Sequence, residues 1–138
     1  MLKEYYLENI YKKIDLNCAE SVLYTANDVF SMNLTHEALR VSSAFGGGMF
    51  IEEKCGAVTG ALMAIGYLFV PQYAHTTDYL KDVIMFFFNQ FTETMGSCEC
   101  IPLKELHRSE CHGCRDVIAA ALDILEKTIS EFPDKRVR

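Results

Sequence analysis

Sustained alternation of apolar and polar residues, the signature of a half-buried strand, is missing from this chain. The expected fold is therefore all-α. No run reaches the roughly 20 apolar residues that a spanning helix needs. The most apolar segment, Cys55 to Val70, carries a face of glycines and alanines, so it reads as a buried helix and no stable membrane insertion is expected. Met1 to Lys13 is amphipathic and charged, without the apolar stretch of a signal peptide; the expected location is cytoplasmic. Clustered base is also scarce. Thirteen Lys and Arg against nineteen Asp and Glu leave a formal net charge of −6, which argues against a nucleic-acid partner. The tail Lys135-Arg136-Val137-Arg138 is too short to reverse this. The glycine-rich stretch Phe45–Phe50 has no Gly-Lys-Ser/Thr and no preceding strand pattern, which excludes a phosphate loop. No Ser/His/Asp set, no paired-carboxylate site, no internal repeat and no low-complexity tract stands out.

What is present suits one domain spanning residues 1–138. Half of the 138 residues are hydrophobic, with seven Tyr and nine Phe, enough for a core without disulfide staples. Six cysteines are then a surplus. In a cytoplasmic setting structural disulfides are rare, so these thiols read as ligands or redox groups.

The apolar spacing predicts a bundle of about five to six helices. The first runs from Leu2 to Lys13. Asn17 and Glu20 form a capping box for a second, which carries Val22, Leu23, Ala26, Val29 and Phe30 inward and ends near Met32-Asn33. Thr35 caps a short helix through Ala44. The central helix follows Cys55, with Gly56, Gly60 and Ala64 on one line, and stops at Pro71. Thr76 or Thr77 caps a long helix ending at Gly96, with Leu80, Val83, Ile84, Phe87, Phe88, Phe91 and Met95 on one stripe. Met85 and Phe86 widen that apolar surface, which a broad core-facing side explains or, alternatively, a homodimer interface. Ser97 to Pro102 reads as a loop or short turn, Glu105 to Glu110 as polar and irregular. The last helix spans Arg115 to Phe132.

Cys18, Cys55 and Cys114 each fall at a predicted helix start, and Cys100 just past a helix end. Unpaired N–H groups and a partial positive charge at a helix start favour thiolate over thiol, and thiolate is both metal ligand and nucleophile. Cys111-x-x-Cys114 lacks the βαβ context of a thioredoxin motif. The haem-attachment pattern fails as well, since Arg115 stands where His is required. The close pairs Cys98/Cys100 and Cys111/Cys114, with two lone cysteines far upstream, suit a site assembled by the fold; a Cys₄ set can hold an iron–sulfur cluster or zinc. Gly47 and Gly48 in the turn, and Gly56 and Gly60 on the central helix, give such a group room. His112 is read as an exposed loop residue, or else a ligand or proton donor. Metal-free thiol–disulfide exchange is the alternative, with Cys114 or Cys55 attacking and Cys111 resolving. A helical protein whose cysteines only pack is the third.

These residues resemble the C_GCAxxG_C_C family of redox-active proteins. The resemblance rests on Asn17-Cys18-Ala19-Glu20, the Phe45–Met49 glycine turn, Cys55-Gly56-Ala57-Val58-Thr59-Gly60, Gly96-Ser97-x-x-Cys100 and Cys114-x-x-Val117-Ile118. It implies that the four family cysteines are Cys18, Cys55, Cys100 and Cys114, that Cys98 and Cys111 are extras, and that the protein has a redox role with a bound group. An iron–sulfur cluster, [2Fe–2S], is the group expected, with zinc or none as alternatives, and an unknown redox partner protein. A related domain occurs in split-Soret cytochromes, whose Cys-x-x-Cys-His haem motif this chain lacks.

Overall fold

The structure, a computed structural model, describes residues 1–10, 15–110 and 113–137. Those residues form seven α-helices: α1 (Leu2–Asn9), α2 (Cys18–Val29), α3 (His36–Arg40), α4 (Gly56–Phe69), α5 (Leu80–Met95), α6 (Cys100–His107) and α7 (Arg115–Glu131). Among the described residues β pairing is limited to two isolated antiparallel bridges, Lys54 with Glu99 and Ser109 with Gly113. The all-α expectation holds; the count of five to six helices does not. The extra helix is α6, which covers half of the ground read as loop and irregular chain. Pro102 and short polar spacing hid it, yet a proline in the first turn removes only an N–H that has no helical partner.

Local signals explain most boundaries. The Asn17 side chain accepts the N–H of Glu20 at 3.0 Å, and the Glu20 carboxylate accepts the N–H of Asn17 at 3.0 Å, so the predicted capping box opens α2. Thr35 caps α3 through the N–H of Ala38. That helix ends at Arg40 and tightens into a 3₁₀ turn over Val41–Phe45. α2 ends at Val29, before the expected Met32-Asn33, because Ser31 and Asn33 both take positive φ. Neither Thr76 nor Thr77 caps α5. Both hydroxyls bond back to the carbonyl of Tyr73 in a 3₁₀ turn, and Tyr79 precedes the helix. Gly96 closes α5 as predicted, at φ +86°.

α4 is the central element. α2, α5 and α7 all pack on it, and Ala57, Val58, Ala61, Ala64, Ile65 and Phe69 are fully buried. Gly60 brings α2 in close: a Cβ there would lie 2.6 Å from the carbonyl oxygen of Ala19. α5 contributes Phe87 and Phe91, both buried and stacked at 5.9 Å between ring centroids. Part of the broad α5 surface is covered from within the chain, since Phe86 meets Phe132 edge to face at 5.8 Å. Met85 stays exposed. No helix of the described residues is long and apolar enough to cross a membrane.

Candidate functional site

Four helix starts converge on one region, and each brings a cysteine. Cys18 and Cys100 are the first residues of α2 and α6; Cys55 and Cys114 immediately precede α4 and α7. Cys100 thus joins the other three at a helix head as well as following the end of α5. Cys55 and Cys100 are buried; Cys18 and Cys114 are half-buried, and all four are free thiols.

Local pairing holds the segments in place. The Cys55 N–H donates to the Cys98 carbonyl at 2.9 Å, and the Cys100 N–H donates to the Glu53 carbonyl at 2.6 Å. This bridge ties the heads of α4 and α6 together. Lys54 reinforces it by reaching Glu99 at 2.5 Å, and its ammonium also lies 3.5 Å from the Cys98 sulfur. Cys98 therefore faces Lys54 and serves the bridge through its carbonyl. At the head of α7, Ser109 and Gly113 exchange two backbone bonds of 3.1 and 2.8 Å, which fixes the approach to Cys114.

The glycines act mainly by admitting backbone. A Cβ on Gly56 would lie 3.0 Å from the carbonyl oxygen of Phe45 and 3.1 Å from the Cβ of Cys18. Gly56 is thus the point where the heads of α2 and α4 meet the glycine turn. Gly48, at φ +61°, would clash with the Glu53 backbone at 2.5 Å and the Cys100 Cβ at 2.9 Å. Gly47 also has positive φ but nothing within 4 Å of a Cβ. The turn continues left-handed through Met49 and Phe50, a conformation that costs a side-chain-bearing residue about 1–2 kcal/mol.

The four thiols act on one another electrostatically. Cys18 and Cys114 share a hydrogen bond, and it splits them: Cys114 falls to about 6, helped by Arg108 and Lys104 against the opposing effect of burial. Cys18 is driven far up, by that same bond first and by burial second, with Cys55 and Cys100 adding to the rise. Burial lifts Cys55 to about 11; the N–H groups of Val58 and Ala57 pull the other way, and Cys100 and Cys114 push it further up. Cys100 is also raised, first by burial. The lowered pKa expected for thiols at helix starts is thus met, among these four, at Cys114 alone. Burial outweighs a helix end because taking a charge out of water shifts a pKa by as much as about 3–5 units. Beside the pair sits Tyr6, whose phenol is raised to about 12 by burial.

Sequence reasoning missed Lys104 and Arg108. Their spacing of four is the available signal, but it has meaning only on a helix, and the sequence pattern does not announce α6. Cys111 and His112 lie outside the described residues, so the resolving role expected of Cys111 and the alternatives for His112 do too. Among the described residues, no group of three or more His, Cys, Asp or Glu is arranged to hold a metal ion.

The model of a family described as "Putative redox-active protein (C_GCAxxG_C_C)" matches residues 16–128, from just before Cys18 to the last turns of α7. No curated protein and no solved structure matches. With four cysteines at four helix heads and a family match over most of its length, the chain belongs to the C_GCAxxG_C_C redox-active family.

Proposed function

We propose that this is an electron-transfer or redox-sensing protein whose centre is a [2Fe–2S] cluster held by Cys18, Cys55, Cys100 and Cys114. The observation that carries the reading is the convergence of four helix starts, each delivering one thiol into electrostatic reach of the others. The donor set suits the group, since four thiolates are the usual ligands of such a cluster. Four thiolates also need positive surroundings. Four helix N-termini provide partial charges, and Lys104 and Arg108 already favour the charged form of Cys114. When bound, the cluster supplies one-electron transfer. The chain's own residues hold it, balance its charge and keep Cys55 and Cys100 away from water. A reducing, cytoplasmic setting and a redox partner protein belong to the same reading.

A second reading has its own support. Cys18 and Cys114 line one cleft, a placement that suits a metal-free dithiol, with Cys114, the thiol held low, attacking and Cys18 able to resolve. Visible absorption of anaerobically purified protein, with iron and sulfide assays, separates the two. The cluster reading expects colour with about two iron and two sulfide per chain. Colourless protein whose Cys18 and Cys114 form a reversible disulfide would replace it with the second reading, and stoichiometric zinc without colour would make the site structural.

A further inference from the structure

Above Cys18 and Cys114 the surface opens into a cleft of about 500 Å³. That is within the span of small-molecule sites, roughly 300–1,000 Å³. Its charge runs against that of the whole chain, which is −6. Lys104, Arg108 and Arg115 line it, and Asp15 is the single carboxylate among its described lining residues. Lys104 lies in α6 and Arg108 directly follows it, one turn away, so the two cations share a wall. Both line the cleft together with Cys18 and Cys114. Arg108 is exposed and, among the described residues, in no ion pair. Lys104 is shared with Glu52 at 3.3 Å, an exposed pair weak enough for a ligand to displace. Cys18, Asn17 and Gly47 line the same cleft.

We infer that this cleft binds a small organic molecule carrying at least two carboxylate or phosphate groups and holds it over the sulfur atoms of Cys18 and Cys114. Two cations one turn apart match two anionic groups, and a guanidinium can bind such oxygens through two parallel bonds. The inference goes beyond the redox reading by giving the centre a small-molecule ligand in addition to a protein partner, and it does not depend on which redox chemistry the thiols perform.

The test is calorimetric titration of anaerobically purified protein with citrate and, separately, with pyrophosphate, at low salt. Amide shifts of Asn17, Gly47 and Gly113 are followed in parallel, and bound iron is assayed on the same samples, so loss of the centre and loss of anion binding are read separately. The expected result is saturable one-to-one binding of at least one probe, with shifts at those amides. Arg108→Gln and Lys104→Gln should each weaken it at least about tenfold with unchanged melting temperature. Citrate alone assigns carboxylates, pyrophosphate alone assigns phosphates, and both together assign the shared oxyanion chemistry. If neither probe saturates, or if both variants bind as tightly as the parent, the inference is overturned.

Discussion

Cys114 is the one thiol of the four pushed toward the thiolate, and the largest cause is its neighbour Cys18. Cys18 donates to it, and Arg108 and Lys104 add their charge. In reduced, metal-free protein, the alkylation rate of Cys114 should therefore rise with a midpoint near pH 6, against about 8.5 for an ordinary cysteine. The sign follows from the direction of the shift: the thiolate is present above the midpoint, and acidification below it silences the residue. Cys18→Ala removes the donor, leaves burial opposed only by the two cations, and should move the midpoint up by about one unit or more. Site-resolved alkylation read by mass spectrometry checks both. A wild-type midpoint near 8.5 would mean that the pair does not exist. At this scale the sequence revealed which residues start helices but not how deep they lie. A helix end contributes about 0.3–1 kcal/mol, and depth decided Cys55 and Cys100 against it.

At the scale of elements, the glycines divide by what they touch, and each pair makes a controlled comparison. Gly60 and Gly66 both lie within α4. A Cβ at Gly60 would press into the backbone of Ala19, whereas at Gly66 it meets nothing within 4 Å. Gly60→Ala should destabilise the fold by about 1–3 kcal/mol through overpacking, and Gly66→Ala should stabilise it by about 0.5–1 kcal/mol through helix propensity. Denaturant unfolding of both variants gives the signs. Gly47 and Gly48 form the second pair. Gly47→Ala adds only backbone strain, about 1–2 kcal/mol, and should leave the four-cysteine centre intact. Gly48→Ala adds strain and drives into the Cys100 Cβ and the Glu53 backbone, so it should displace Cys100 and lower iron binding. Equal iron content in the two would contradict that assignment. Element boundaries were legible where side chains announce them, as at Asn17, Thr35 and Gly96. They were not where tertiary packing decides. α6 has a weak pattern of its own and forms where the bridge at Cys100 and the packing of Leu103 hold it.

Across the whole molecule, the feature periodicity does not convey is convergence. The sequence shows that Cys18, Cys55 and Cys114 start helices; it contains no distance between them. The close approach of α2 to α4 at Gly60, the contact of Gly56 with Cys18 and the bridge from Lys54 to Glu99 bring the helix heads together. None of these involves residues near one another along the chain. The fold supplies a physical reason for Gly56 and Gly60, each of which admits the backbone or side chain of a neighbouring helix. Cys98 departs from the set because its sulfur faces Lys54. The most direct measurement is bound iron per chain across single alanine variants of the five described cysteines, purified anaerobically. The account predicts that Cys18→Ala, Cys55→Ala, Cys100→Ala and Cys114→Ala each lose most of the iron and visible colour, while Cys98→Ala keeps both. Iron retained in any two of the first four, or lost to the same degree in Cys98→Ala, would contradict a single centre built on these four sulfur atoms.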